Sequence, residues 1–122
     1  MVGQVKHDQF KLYAKSLLPY FKDERTLFVV SSDFCHWGSR FNFTHKFESY
    51  KIEQISDSIE ELDKQGMTII EEHSLEKFEE YLDETHNTIC GRNPIQLLLA
   101  LINEAEAEAA ESDPLNIETK FV

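Results

Sequence analysis

Thr26-Leu27-Phe28-Val29-Val30-Ser31, running on into Ser32-Asp33-Phe34-Cys35-His36-Trp37-Gly38, is the stretch on which the fold turns. Its first half is short, β-branched and aromatic, with no polar alternation. It reads as a central strand covered on both faces and parallel to its neighbours. Ligands of open α/β sheets sit outside the carboxyl ends of such strands. Asp33, Cys35 and His36 therefore leave the expected sheet where a pocket belongs, carried on a loop held by a rigid element. Trp37 and Gly38 add a bulky wall and a sharp turn.

On either side the pattern is helical. Phe10, Tyr13, Leu17, Leu18 and Phe21 recur at helical spacing and predict an amphipathic helix over 7–21. Ile52, Ile55, Ile59 and Leu62 trace one face of a second helix, which Gly66 is placed to stop. Ser74 is the cap of a third, carrying Leu75, Phe78, Tyr81 and Leu82. Asn93-Pro94 reads as a cap followed by proline at the first position of a fourth, whose Leu97, Leu98, Leu99, Leu101 and Ile102 mark it as buried between layers. The run from Glu104 to Glu111 forms helix well but has no apolar stripe, so it is expected to extend into solvent. After Ser112-Asp113-Pro114, the alternation of Leu115, Ile117, Thr119 and Phe121 predicts a last strand.

Composition narrows the function. The 122 residues make one domain at most, and 41% hydrophobic content suffices for a core. A formal net charge of −11, from 12 Lys and Arg against 23 Asp and Glu, excludes nucleic acid, which demands clustered bases, and disfavours anionic membranes. No segment is long and apolar enough for a membrane span, and the N-terminus lacks the features of a secretory signal. These readings point to the cytoplasm or nucleus. Two cysteines without an export signal are reduced thiols rather than a disulfide framework.

Three segments in order carry a resemblance. They are Val29 to Gly38 with Arg40-Phe41, then Ser58-Ile59-Glu60 through Leu62-Asp63-Lys64 to Gly66-Met67, and finally His86-Asn87-Thr88-Ile89-Cys90-Gly91-Arg92. Together they closely resemble the Memo family over nearly the whole chain. The resemblance implies a fold similar to class III extradiol dioxygenases, which use non-haem iron, and a role in cell motility and the microtubule cytoskeleton downstream of receptor tyrosine kinases. In that family the pocket joins two histidines of the N-terminal half to an aspartate, a histidine and a cysteine of the C-terminal half. The matching positions are Asp33, His36 and Cys90, with Cys90 where the dioxygenases place a metal-binding glutamate and His36 where they place an acid/base histidine. Iron or copper is the implied cofactor, and a thiolate, softer than a carboxylate, shifts the expectation toward copper or redox work over ring cleavage.

The chain departs from the family in extent, because the N-terminal half with its two histidines is missing. The expectation is therefore the C-terminal part of an α/β sheet flanked by helices, a single incomplete domain over residues 1–122 cut at both ends. Asn93, where relatives have histidine, is a smaller departure, and His45 carries no family role.

The residues read by themselves leave alternatives. His36 can bind a metal or move a proton, with Asp33 orienting it or sharing the metal, or His36 can simply hydrogen-bond a backbone carbonyl while Asp33 caps a turn. Cys90, just before a helix start, is suited to metal binding or nucleophilic attack; its plain alternative is a buried inert thiol. Alternation places Cys35 on the opposite side from His36, in the core. His86 ends a helix or edges the pocket, Arg92 holds an anion or a surface carboxylate, Trp37 packs, and His7 and His73 read as exposed. A Cys-His hydrolase of Cys90, His36 and Asp33 has the right groups but no local signature. Whether the chain is an enzyme stays open at this point. The other readings are a non-enzymatic adaptor binding a phosphotyrosine peptide or other protein partner, and an inactive truncated paralogue.

Overall fold

The computed structural model describes residues 5–109 and 117–121. Four helices carry the architecture: α1 (His7–Phe21), α2 (Ile55–Glu71), α3 (Leu75–Thr85) and α4 (Arg92–Glu108), with single 3-10 turns at Ser39–Phe41 and Ile52–Gln54. The expected α/β sheet does not form among the described residues. The only strand-type pairing there is an isolated antiparallel bridge between Gly38 and Phe43. The fold is helical.

The reason lies in segment 26–31. A strand needs neighbours to take its N–H and C=O groups, and none of the described residues pairs with this one. Its side chains alternate as a strand's would, but only one face is covered. Phe28 and Val30 turn inward, whereas Leu27 is 84% exposed and Val29 79%. The apolar run presupposes two covering layers, and the four helices supply one.

Helix α4 organises the core because apolar residues run around most of its circumference. Ile95 and Leu99 join Leu62, Ile70, Phe78, Tyr81, Ile89 and Phe43 in one cluster against α2 and α3. Leu97, Ala100, Leu101 and Ala105 join Phe10, Ala14 and Leu18 of α1 in another. The alanines let the α1 and α4 backbones approach closely. The first turns of α1 and α4 border one cleft, and Lys22, just past α1, meets Glu108 at the end of α4 at 2.6 Å, so the two helices run parallel.

Several local expectations hold and others shift. The bounds of α1 fall at 7–21, although Tyr13 lies on its exposed side. Ser74 caps α3, accepting from the Lys77 N–H at 3.3 Å. Gly66 does not stop α2; it is buried mid-helix, and a Cβ there would sit 3.1 Å from the Tyr81 ring. Ile52 precedes α2 and is 62% exposed. Helix α4 starts earlier than expected, with Gly91 as its cap and Pro94 as the third residue, still within the turn whose N–H groups lack helical partners.

The acidic tail is not free either. Ala105 is fully buried, and Glu104 and Glu108 pair with Lys11 and Lys22 of and after α1. Ala110, Glu111 and Leu115 lie outside the described residues. Ile117 to Phe121 form no strand; they fasten back instead, with Thr119 Oγ1 2.8 Å from His73 Nε2 and the Phe121 N–H on Glu71 Oε1 at 3.0 Å. His73 is thereby covered, its side chain only 11% exposed, contrary to expectation.

Candidate functional site

Two segments far apart in sequence meet at the site: loop 31–38 and the stretch 87–91 that leads into α4. Their backbones clasp reciprocally. The Asp33 N–H donates to Cys90 Sγ at 3.2 Å, and the Cys90 N–H donates to the Asp33 carbonyl at 3.2 Å. Ser32 Oγ accepts from the Gly91 N–H at 2.9 Å, donates to the Asp33 carbonyl at 2.8 Å and lies 3.8 Å from Cys90 Sγ. The approach leaves no room for a side chain at position 91, since a Cβ there would stand 2.4 Å from Ser32 Cβ and 2.9 Å from the Ser31 carbonyl oxygen.

One step along, His36 is seated on Thr88. The His36 N–H donates to Thr88 Oγ1 at 2.6 Å, and that hydroxyl donates back to the His36 carbonyl at 3.0 Å. His36 Nδ1 lies 3.0 Å from the Thr88 carbonyl oxygen. A carbonyl only accepts, so this contact places the proton on Nδ1 and leaves the Nε2 lone pair of the neutral ring uncommitted. Phe41 flanks the ring edge-on at 5.2 Å.

Asp33 contributes through its backbone. Its carboxylate is on an exposed residue and has no hydrogen bond among the described residues, so it is the Thr88 carbonyl, not Asp33, that orients His36. Cys90 is likewise exposed. Cys35 faces the other way, packed against the larger core cluster but half-buried rather than enclosed. Burial first, then the Asp63 carboxylate, pushes its thiol up to about 11, which keeps it neutral.

Beneath the loop lies a polar network that the sequence did not single out as functional. The Cys35 N–H reaches both oxygens of Asp63 at 3.2 and 3.3 Å. Asn87 Nδ2 bridges Asp63 Oδ1 at 2.9 Å and the Tyr81 hydroxyl at 2.7 Å, while that hydroxyl donates to the Leu62 carbonyl at 2.9 Å. Burial holds the Tyr81 hydroxyl at about 12. Tyr81 reads as part of the apolar stripe of α3, and Asp63 and Asn87 as helix-surface and turn residues; only their convergence beneath Cys35 reveals the support they give. The available signal was the polar Asn87-Thr88 pair between α3 and the buried Ile89.

Matching against protein families, the chain corresponds over residues 1–116 to the family described as Memo-like protein. The chain belongs to the Memo-like family. Protein MEMO1 of Homo sapiens is 46% identical to it over 106 residues, 87% of this chain and 35% of the relative. Protein MEMO1 of Danio rerio is 46% identical over 104 residues, covering 85% and 34% of the two chains. The memo-1 homolog of Caenorhabditis elegans is 43% identical over 99 residues, covering 81% and 28%. The Memo-like chain thus spans about a third of the length of these curated relatives.

The Memo resemblance implies iron or copper, and the donors can be weighed against it. Thiol and imidazole are the right types, and His36 presents a free Nε2. Among the described residues, however, no three His, Cys, Asp or Glu side chains gather as a metal-holding group. The described donors of this chain are therefore too few for a complete site. No described helix is long and apolar enough to cross a membrane.

Proposed function

We propose that this Memo-like chain supplies one wall of a metal-binding pocket with a redox or signalling role in cell motility and cytoskeletal regulation. Cys90 and His36 are its ligands, and Asp33 stands at its rim. Iron or copper binds only when further ligands join these, of the kind the N-terminal half of the Memo fold carries. The reading rests on one observation, the clasp of loop 31–38 on stretch 87–91, which holds Cys90 Sγ against the Asp33 N–H and, three residues along the loop, His36 against Thr88. A peptide N–H on sulfur is a contact that tunes a metal-bound thiolate. Exposed Leu27 and Val29 give whatever carries those ligands an apolar surface to cover.

The residues of this chain bind, orient and tune. Thr88 fixes the His36 ring and its tautomer, Gly91 allows the segments to touch, and the Asp63–Asn87–Tyr81 network holds the loop from below. The bound metal would supply electron transfer at the thiolate.

The test is anaerobic Cu(I) competition with a chromophoric chelator, on the chain alone and mixed with the N-terminal two-thirds of a curated relative. The chain alone is expected to compete weakly, and the mixture at least about tenfold better, a gain that Cys90→Ser removes. If Cys90→Ser keeps the whole gain, the sulfur is not a ligand and the pocket reading fails. If the mixture binds phosphotyrosine peptides and never Cu(I), the adaptor reading replaces it.

A further inference from the structure

The first turns of α1 and α4 and the end of α3 border a cleft of about 560 Å³, within the range of small-molecule sites. Its lining carries both signs of charge. Arg92, the first residue of α4, stands at that helix's positive end. Glu79 and Asp83, one turn apart on α3, line the same cleft, as does the apolar side chain of Leu82. His7 Nδ1 lies 2.7 Å from Glu79 Oε1 and occupies that carboxylate. Asp83 and Arg92 share the cleft, yet neither side chain has an ion-pair partner among the described residues, and they do not reach each other.

A second, independent feature points into the same space. Gln96 lines the cleft from the second turn of α4 and is only 8% exposed. Among the described residues its side-chain amide has no hydrogen-bond partner. Its amide therefore has two donors and an acceptor left to offer a ligand in the cleft.

We propose that this cleft binds a small zwitterion of the amino-acid class, its carboxylate on Arg92, its ammonium on Asp83, its polar centre on Gln96 and its aliphatic side chain on Leu82. A cation alone would leave Arg92 unpaired, and an anion alone would face Asp83. A ligand carrying both charges satisfies both groups at once. Arg92 and Asp83 are exposed, so solvent screens them and the affinity is modest, on the order of millimolar. This site is separate from Cys90 and does not rest on the proposed metal pocket.

The test is an amide chemical-shift titration of the full 122-residue chain with leucine, leucinamide and N-acetylleucine, each up to about 10 mM. Leucine is expected to saturate shifts in α3 and the first turns of α4, with the two singly charged analogues at least about tenfold weaker. Arg92→Gln should erase the preference for leucine over leucinamide, and Asp83→Asn the preference over N-acetylleucine. Both positions are exposed, so both variants keep the fold, which the unperturbed remainder of the spectrum checks. Equal binding of all three compounds, no saturation by leucine, or preferences untouched by the substitutions would each overturn the proposal.

Discussion

Gly91 is glycine because of what lies against it, not because of its own backbone angles. Replacing it with alanine drives a methyl group into Ser32 and the Ser31 carbonyl, a backbone atom that cannot swing aside. Gly91→Ala is expected to cost at least about 1–3 kcal/mol and to break the Asp33–Cys90 clasp. Urea denaturation gives the first number, and loss of the amide signals of Asp33 and Cys90 from their native positions reports the second. The two thiols should separate by chemistry as cleanly as by place. With Cys35 near 11, roughly one molecule in a thousand carries its thiolate at pH 8. Iodoacetamide at that pH is expected to label exposed Cys90 first, and labelling of Cys35 to rise about tenfold per pH unit until pH 11, read by peptide mass. A thiol raised on folding stabilises the fold below its ordinary value of 9.0, and that contribution is lost as pH climbs through 11. At this scale the site was partly legible: Asp33, His36 and Cys90 are residues one would name from the sequence. Thr88 as the orienting group was not, because a threonine carbonyl bears no signal until the fold brings it to an imidazole.

Among the elements, α2 meets α3 at Gly66, against the Tyr81 ring. Alanine there gains up to about 1 kcal/mol of helix propensity but places its Cβ 3.1 Å from the Tyr81 ring. That ring is fixed at its hydroxyl by Leu62 and Asn87 and cannot retreat freely. Gly66→Ala is therefore expected to lower stability on balance, and thermal unfolding followed by circular dichroism decides the sign. α1 and the Ser74 cap of α3 were readable because periodicity and capping are local. Gly66 looked like a helix stop because local reasoning cannot see Tyr81, fifteen residues later on another helix. The start of α4 slipped for a related reason. The Ile95 N–H takes the Gly91 carbonyl at 3.0 Å, and Gly91 is itself fixed by Ser32, so the helix begins where the clasp ends.

For the molecule as a whole, the misread element is segment 26–31. Its composition describes a strand with cover on both faces, and the described residues cover only Phe28 and Val30. The sequence was legible, but it spoke of neighbours that these helices do not provide. The bare aliphatic pair has a measurable effect: the chain should bind a fluorescent hydrophobic dye and self-associate at rising concentration. Leu27→Lys with Val29→Lys is expected to reduce both without lowering the melting temperature, since both side chains are already in water. Dye fluorescence and light scattering check the first part, calorimetry the second. Unchanged dye binding would show that another surface is responsible.

The clasp between Asp33 and Cys90 ties the two ends of a long excursion that contains α2 and α3. Whatever binds at the thiol thus acts as a fastener on the helical hairpin. The Cys90 amide, although at the surface, should exchange with deuterium only as fast as the hairpin opens, in step with buried Leu99. A ligand that tightens on the sulfur would slow that exchange throughout α2 and α3, so that occupancy at one surface point becomes readable as rigidity across the molecule.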